Sequence, residues 1–571
     1  MKIDTKGKII IICTSMIYYF VILFYELFYC NFRFMAGAIN TYNFSLFRVV
    51  MYIAIYALCF IYLKKNIEGI EKSFTNKTKQ AFTIVLGAVA NTILLYLIFG
   101  QKQMTLSYVV SVISILLLDL FLIYTTENIA KNAILICITF GIIFSIGITI
   151  NNQLDEKKHF LSAYSLSFGN LNRVNHTVDK SIAGVKRGLT INEFNRYFSE
   201  FPQNDITNSF TAEDACDTPA DYFFISYIPP AIGIFLARIL RGSIADIYFA
   251  SRIFNLFAYA ILVYIMLKLL PCKKNTFFVT AFFPMLLALS AVNSPDGIVY
   301  GTISILIAYC LRLYYQKDKI TIKQILILAV LVFLTSIIKG TGYITMSMVV
   351  LILPIAQILK DNKKDWWKIL LVVLVLILGL AALTYFTTIT LKGDVRSVGT
   401  NTAEQMKNII ENPIRYLKTL GKHMYNNLIN PTVLSYINAP MFFGKTYFIG
   451  YIYIMMLLLI TGIKDDSKIL SRKIIIVFLF TFLITFMATS TAMYLSFTKV
   501  GAEYIYGFQP RYLLPMLPLL ISCISIKSNK KDNKNHEEDK EEKIRSKKII
   551  EITYILGAVI YISTLGMILK I

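Results

Sequence analysis

Long apolar stretches recur along the whole chain and constrain its fold more than any other feature. At the 1.5 Å rise of an α-helix, about 20 apolar residues cross the roughly 30 Å hydrocarbon core of a bilayer. The chain has 571 residues, of which 56% are hydrophobic and only 16% are charged. A water-soluble protein of this length could not bury so much apolar surface, so lipid must be its main solvent. We therefore predict an all-α polytopic membrane protein.

The apolar stretches predict about 15 transmembrane helices. They lie near 9–30, 46–63, 81–100, 104–124, 133–151, 246–270, 276–292, 297–315, 321–338, 343–360, 367–390, 446–463, 472–495, 508–526 and 549–569. Two long polar segments, 152–221 and 391–445, interrupt this series. Apolar residues recur at helical spacing within 403–430, so we expect one or two amphipathic helices lying on the membrane or against the outer loop.

The stretch 222–240 decides the predicted topology. It contains a pair of prolines, which would break a plain spanning helix. If it does not cross, the basic residues of the later connections lie on one side, and the short connections opposite hold only Lys339 and Lys499. The positive-inside rule then predicts a cytoplasmic N-terminus, an interfacial or re-entrant helix at 222–240, and outer loops at 152–245 and 391–445.

The formal net charge of +23 also follows from the basic residues in the predicted cytoplasmic connections. Basic residues occur in short clusters between apolar runs, which is typical of cytoplasmic connections and of attraction to anionic lipids. The abundance of Lys, Ile and Asn is typical of an AT-rich bacterial genome. We therefore predict a multi-pass protein of the bacterial plasma membrane that contacts membrane lipids and binds no nucleic acid.

Two adjacent carboxylates and a histidine stand where the chain leaves the span 133–151. Asp155 and Glu156 precede His159 at the start of the large polar loop. A carboxylate here can act as general base towards an acceptor hydroxyl, or bind a divalent cation such as Mg²⁺ or Mn²⁺ that neutralises a phosphate leaving group. Acidic residues are also common at membrane boundaries, so their spacing alone leaves a structural role open. His159 could share the same site.

Four further charged residues are expected at the same outer level. Arg252 lies near the start of a span, where a charge is costly and typical of a functional site, although its side chain could also reach the interface. Asp296 ends an Asn-Ser-Pro-Asp turn and either contacts substrate or only completes that turn. Lys339 precedes glycines that let a ligand approach the backbone, and Arg511 lies at the start of the span 508–526. These cations suit a lipid-linked phosphate.

A series of short motifs in fixed order resembles the DUF2142 family of bacterial membrane proteins and, more broadly, the GT-C superfamily of polytopic glycosyltransferases. The motifs are Leu154-Asp155-Glu156 with His159-Phe160, Tyr227-Ile228-Pro229-Pro230, Ser251-Arg252-Ile253-Phe254-Asn255, Asn293-Ser294-Pro295-Asp296, Lys339-Gly340, Asn412-Pro413 and Gln509-Pro510-Arg511-Tyr512. Together they cover roughly residues 133–526. Each motif is short, and it is their order that is specific.

The resemblance implies a GT-C-like fold, with interfacial helices in a large first outer loop, and a polyprenyl-phosphate-linked sugar as donor. It implies that Asp155 is the catalytic residue, with Glu156 beside it. Gln509, Arg511 and Tyr512 belong to a motif that is expected at the substrate site. The chain contains no glycine-rich nucleotide-binding loop, so a soluble nucleotide sugar is not the expected donor.

Three regions follow from these boundaries. We expect an additional four-helix transmembrane segment over 1–130, the GT-C-like core over 131–526, and a charged cytoplasmic loop with a final transmembrane helix over 527–571. The predicted activity is sugar transfer to an envelope glycan, lipid or protein acceptor at the outer face. A transporter or flippase of lipid-linked glycans, or a non-catalytic envelope-assembly protein, is the alternative, although the sequence shows no clear internal repeat of the kind that many transporters have.

Overall fold

The computed structural model is all-helical in the part of the chain that it describes. It describes residues 128–137, 155–169, 222–242, 244–339, 343–353, 399–429 and 470–523, together with residue 374 and single positions within 46–61 and 141–145. Apart from residue 374, the predicted spans near 9–30, 81–100, 104–124, 367–390, 446–463 and 549–569 lie outside these residues, as does the segment 527–571.

Twelve α-helices and three 3₁₀ segments are described. The helices are α1 (Ile129–Ile136), α2 (Glu156–Leu166), α3 (Ile228–Ile239), α4 (Ile244–Leu269), α5 (Lys274–Ala281), α6 (Pro284–Ser290), α7 (Asp296–Tyr315), α8 (Ile322–Ile337), α9 (Thr402–Glu411), α10 (Pro413–Leu428), α11 (Arg472–Phe497) and α12 (Leu517–Cys523). The 3₁₀ segments are Phe224–Tyr227, Ile344–Ile352 and Pro510–Leu513. Three helices, α4, α7 and α11, are long and apolar enough to cross a membrane.

Helix α7 lies at the centre of the described helices. Its side chains are buried along almost its whole length, against α4, α6, α8 and the Ile344–Ile352 segment. Gly301 allows α4 to approach closely, because a Cβ atom there would lie 2.6 Å from the Leu262 side chain. The neighbouring helices carry the exposed apolar surface, with Ile261 on α4 and Phe333 on α8 among its side chains.

The predicted span 276–292 is broken into two short helices, α5 and α6. Pro284 has no N–H to donate and occupies the first turn of α6, so the hydrogen-bond ladder stops before it. The Tyr259 hydroxyl on α4 donates a hydrogen bond to the carbonyl of Ala281, the last residue of α5. A tyrosine of a neighbouring helix thus satisfies a carbonyl at the break.

The predicted span 343–360 begins as a 3₁₀ helix over Ile344–Ile352 and not as an α-helix. A 3₁₀ run of this length is uncommon, because its hydrogen-bond geometry is poorer than that of an α-helix. The segment packs against α11, and the Thr345 hydroxyl donates to Thr485 Oγ1 at 2.8 Å. Tertiary packing therefore decides the local conformation here.

The stretch 222–240 contains the short helix α3. Pro229 and Pro230 occupy its first turn, where a missing N–H costs nothing, so the prolines begin a helix here and do not break one. With 12 residues, α3 is about 18 Å long and too short to cross a bilayer as a helix. It packs against α4, and Gly233 permits this, because a Cβ atom would lie 2.5 Å from the Ala250 carbonyl oxygen.

The amphipathic helices predicted within 403–430 are present as α9 and α10. Both pack on α11, where the Tyr416 hydroxyl lies 2.5 Å from Thr491 Oγ1 and the His423 ring stacks on Phe486. Several large apolar side chains on the other side of these helices are exposed: Met406, Ile410, Ile414 and Leu417. The prediction of amphipathic helices is confirmed, and the structure adds that they contact a membrane-length helix directly.

Candidate functional site

The candidate site begins at Asp155, the residue before α2. Its backbone is left-handed (φ 60°, ψ 9°), a conformation that Asp tolerates better than most residues. The side chain makes no capping hydrogen bond to α2. One carboxylate oxygen accepts a hydrogen bond from Arg511 Nη2 at 3.1 Å, and the side chain is 42% exposed. Asp155 is thus held by a cation and is still accessible to a ligand.

Glu156, the next residue, points into the protein and forms the buried pair with Arg252. Arg252 donates from Nε to Glu156 Oε1 at 2.8 Å and from Nη2 to Oε2 at 2.9 Å, and both side chains are almost completely buried. The backbone N–H of Asn293 also donates to Glu156 Oε1 at 3.3 Å. Arg252 Nη1 donates to the Ser145 carbonyl at 2.8 Å. This geometry favours a structural role for the buried pair over contact with a substrate.

Asp155 joins a second set of charges, which we name the cation cluster: Asp155, Asp296, Lys339 and Arg511. Lys339 Nζ donates to Asp296 Oδ1, and Arg511 Nη1 lies 3.6 Å from Asp296 Oδ2. Asp296, Lys339 and Arg511 are buried, so Asp155 is the exposed member. The residues come from four different elements, and their side chains meet at the ends of α2, α7 and α8 and in the segment Pro510–Leu513.

Tyrosine rings surround the two cations. Lys339 Nζ lies 6.0 Å from the centre of the Tyr222 ring and 5.4 Å from that of Tyr512. Arg511 Cζ lies 5.8 Å from the centre of the Tyr512 ring, so these contacts fall within the range of cation–π attraction. The Tyr343 hydroxyl donates to the Tyr512 carbonyl at 2.9 Å and fixes the segment that carries Arg511.

His159 lies one turn into α2, beside the cluster. Its Nδ1 atom is 2.8 Å from the Tyr227 hydroxyl, and its ring stacks on Tyr222 with the ring centres 5.6 Å apart. Burial, together with the nearby positive charge of Arg511, lowers the pKa of His159 to about 3. The imidazole is therefore neutral at physiological pH. A neutral ring suits a hydrogen-bonding role better than the binding of phosphate by charge.

Asn255 holds the turn that carries Asp296. From α4, its Nδ2 atom lies within hydrogen-bonding distance of the carbonyls of Ser290, Val292 and Ser294, at 3.3, 2.8 and 3.0 Å. Each of these carbonyls lies at or beyond the end of α6, where helix carbonyls lack partners in the helix. One side chain thus closes the turn between α6 and α7 and fixes the start of α7.

The cluster and the buried pair lie at one end of the apolar helices, and basic residues lie at the other. At the 1.5 Å rise of an α-helix, Arg252 and Lys268 are about 24 Å apart along α4, as are Asp296 and Arg312 along α7. The hydrocarbon core of a bilayer is about 30 Å thick. If the basic residues mark one boundary of the hydrocarbon core, the cation cluster and the buried pair lie just inside the opposite boundary.

A model of the DUF2142 family, described as a predicted membrane protein, matches residues 137–520. The chain belongs to the DUF2142 family. The match includes every member of the cation cluster and of the buried pair, so both are located in the family region. No curated protein and no solved structure shows significant similarity to the chain. The relation to GT-C glycosyltransferases thus stays a prediction.

The adjacent carboxylates of this DUF2142 protein do not fit a shared metal ion. Glu156 is bound by Arg252 on one side of the chain, whereas Asp155 contacts Arg511 on the other. Among the residues that the structure describes, no group of three or more His, Cys, Asp or Glu side chains could hold a metal.

Most of the predicted site residues are brought together. Asp155, Asp296, Lys339, Arg511 and Tyr512 meet in or beside the cation cluster, and His159 lies next to it. Arg252 and Glu156 lie close by but bind each other. Gln509 precedes the Pro510–Leu513 segment, and among the described residues its buried Oε1 atom has no hydrogen-bond partner.

The sequence reading missed the residues that support the cluster: Tyr222, Tyr343 and Asn255. Asn255 left a signal, because a polar amide within an apolar span is costly and usually has a function or a partner. It lies in the same motif as Arg252, which was the only residue of that motif predicted to belong to the site. Tyr222 and Tyr343 left no such signal, because tyrosines are common near membrane boundaries.

Proposed function

We propose that the protein is a membrane glycosyltransferase of the GT-C type, which transfers a sugar from a polyprenyl-phosphate-linked donor to an envelope glycan, lipid or protein acceptor. The observation that carries the proposal is the cation cluster, which joins a partly exposed carboxylate, Asp155, to the buried cations Lys339 and Arg511. A base and a cationic anion site are the two groups that displacement of phosphate at a sugar carbon requires.

In the proposed reaction, Asp155 removes the proton from the acceptor hydroxyl as its oxygen attacks the anomeric carbon. A new carbon–oxygen bond forms to the acceptor, and the bond between the anomeric carbon and the phosphate oxygen breaks. The electron pair of that bond leaves on the polyprenyl phosphate, where Lys339 and Arg511 stabilise the charge. The proton passes from Asp155 to water, and the anomeric configuration is inverted.

The neighbouring residues support this reaction without taking part in it. The buried pair fixes the start of α2 and hence the position of Asp155, which directly precedes Glu156. Tyr222 and Tyr512 present aromatic faces beside the cations, on which the apolar face of a sugar or the first isoprene unit can pack. The neutral His159 offers a hydrogen bond on the same side.

The proposed topology places the cation cluster at the outer face of the bacterial plasma membrane. Lys268 and Arg312 lie in the last turns of α4 and α7, at the ends away from the cation cluster. The positive-inside rule assigns the side of these two residues to the cytoplasm. The cluster is then about 6 Å inside the outer boundary of the hydrocarbon core, within reach of a lipid-linked phosphate in the outer leaflet. The cytoplasmic N-terminus and about 15 spans belong to the same proposal.

The test is a transfer assay with the purified protein and a polyprenyl-phosphate sugar. Asp155→Asn removes the base while keeping the size of the side chain, so transfer should fall at least about 100-fold. The matched control is Asp318→Asn, an exposed aspartate beyond the far end of α7, which should keep wild-type activity. Full activity of a folded Asp155→Asn protein would contradict the assignment of the base.

The same assay separates the alternative functions. Movement of a lipid-linked glycan across proteoliposomes without sugar transfer would support a transporter or flippase. Absence of both, with envelope assembly restored in a deletion strain by an Asp155→Ala protein, would support a non-catalytic role. Analysis of envelope glycans in that strain would also identify the sugar and the acceptor.

A further inference from the structure

We propose that Asp296 is a competing counter-ion for Lys339 and Arg511. Before the donor binds, it holds both cations in place. After the reaction, it competes with phosphate for them, so that the phosphorylated lipid product leaves. The inference rests on the proposed function, because this product is what sugar transfer leaves behind. It gives Asp296 a positioning role instead of the substrate contact suggested by its place in a turn.

Asp296 is held at its carboxylate by one hydrogen bond from Ser294 and at its backbone by the turn before α7. The Ser294 hydroxyl donates to Asp296 Oδ2 at 3.0 Å, and the Asp296 backbone N–H donates to Ser294 Oγ at 3.3 Å. Asn255 holds the preceding turn through three carbonyls. Asp296 is also the first residue of α7, the most enclosed of the membrane-length helices. Because its backbone is held by the turn and by α7, the short Asp296 side chain has less freedom to follow a ligand than the side chains of Lys339 and Arg511.

The two cations have longer side chains than the carboxylate between them and lie outside the long helices. Lys339 lies just beyond the last residue of α8, and Arg511 lies in a four-residue 3₁₀ segment. Both have long side chains that can turn towards a phosphate while their backbone stays in place. The 3.6 Å separation between Arg511 Nη1 and Asp296 Oδ2 is an ion-pair distance and is too long for a good hydrogen bond.

The charge balance of the cluster makes a competitor useful. Two carboxylates and two cations give a formal charge of zero. The donor is a phosphodiester with one negative charge, whereas the product is a monoester with a charge of about −1.5 to −2 at pH 7. Because attraction between charges is strong where water is scarce, two buried cations alone would hold the product more tightly than the donor. The negative charge of Asp296 repels the product and re-forms its ion pairs with the two cations.

The first experiment needs only the wild-type protein in nanodiscs. It compares the binding of citronellyl phosphate, a short prenyl monoester, with that of its methyl ester, which keeps one charge, at pH 7.5. Competition by Asp296 should keep the two affinities within about threefold despite the extra charge. Binding of the monoester more than about tenfold tighter than that of the methyl ester would overturn the proposal.

The second experiment uses Asp296→Asn, which keeps the shape of the side chain and removes its charge. This variant should bind citronellyl phosphate about tenfold more tightly than wild type, with a smaller gain for the methyl ester. A merely structural role would weaken binding instead. The control is Ser294→Ala, which removes a hydrogen bond to the same carboxylate but keeps its charge, and should not tighten binding.

The outcomes separate this inference from the proposed function. If the wild-type protein transfers no sugar but Asp296→Asn binds citronellyl phosphate more tightly, the glycosyltransferase proposal is contradicted and the counter-ion proposal is supported. Normal transfer by wild type, with unchanged or weaker product binding by a folded Asp296→Asn protein, would contradict the counter-ion alone. If Asp296→Asn does not fold, the wild-type comparison of the two esters decides.

Discussion

The buried pair and the cation cluster are neighbours that differ in how completely their charges are satisfied. In the buried pair, both Glu156 oxygens accept hydrogen bonds from Arg252, and neither side chain is more than 3% exposed. In the cation cluster, Arg511 is shared between two carboxylates, and one of them, Asp155, is 42% exposed. The first is completely enclosed by the protein, whereas the second has one member that is partly exposed.

The comparison also separates stability from function. A buried ion pair often contributes little net stability, but removing one partner is expensive because the other charge then stays buried and unpaired. In the cation cluster, two carboxylates serve two cations, so each remaining charge keeps an opposite charge nearby when one partner is removed. Damage to the buried pair should therefore lower the stability of the protein, and damage to the cluster should slow the proposed reaction.

Arg252→Met should have the largest effect on stability. It leaves the Glu156 carboxylate buried without its partner, so the free energy of unfolding should fall by about 3–5 kcal/mol. Unfolding of the purified protein in mixed micelles measures this change. The double variant Arg252→Met with Glu156→Leu should recover part of the loss. A single variant as stable as wild type would show that the pair is not a structural link.

His159 should make stability depend on pH, with an intermediate effect. Its pKa is about 3 in the folded protein and about 6.5 when unfolded, so between these values the unfolded state binds more protons. Stability should therefore fall as the pH decreases, by roughly 2 kcal/mol between pH 7 and 5. Unfolding at several pH values tests this, with His159→Asn as the control that should flatten the slope. An unchanged slope in that variant would assign the dependence to other groups.

Arg511→Lys should affect stability less than Arg252→Met and still slow the proposed transfer. The positive charge remains beside both carboxylates, so no buried carboxylate loses its only cation. A lysine cannot reach two carboxylates and a phosphate with a fixed fork, so transfer should fall about 10–100-fold. The control is Arg415→Lys on α10, whose guanidinium donates to the Gly501 carbonyl away from the cluster and should tolerate the change. Equal activity in both variants would remove Arg511 from the phosphate site.

The sequence predicted the members of the cation cluster better than it predicted their partners. Asp155 and Lys339 follow the end of an apolar stretch and Arg511 lies at the start of another, and charge counting predicts that these boundaries lie on one side of the membrane. The sequence could not show that the side chain of Glu156 binds a different cation from that of Asp155. That separation depends on the left-handed backbone of Asp155 and on Arg252, which is distant in sequence.

The fold shows the same limit. The apolar length of α4, α7 and α11 is a local property, and the predicted spans 246–270, 297–315 and 472–495 coincide closely with them. Pro284 is a local signal for the break between α5 and α6, which the prediction of a single span near 276–292 did not include. The 3₁₀ conformation of Ile344–Ile352 has no local signal, because it depends on packing against α7, α8 and α11.

The matching separation of Arg252 from Lys268 and of Asp296 from Arg312 gives the cation cluster a set height in the bilayer. A longer lipid tail raises the headgroups away from the cluster, and a shorter one lowers them towards it. A protein of this geometry cannot adjust by tilting one helix, because the cluster is built from several elements. Under the proposed function, the thickness of the surrounding membrane therefore affects how closely a lipid phosphate approaches the cation cluster.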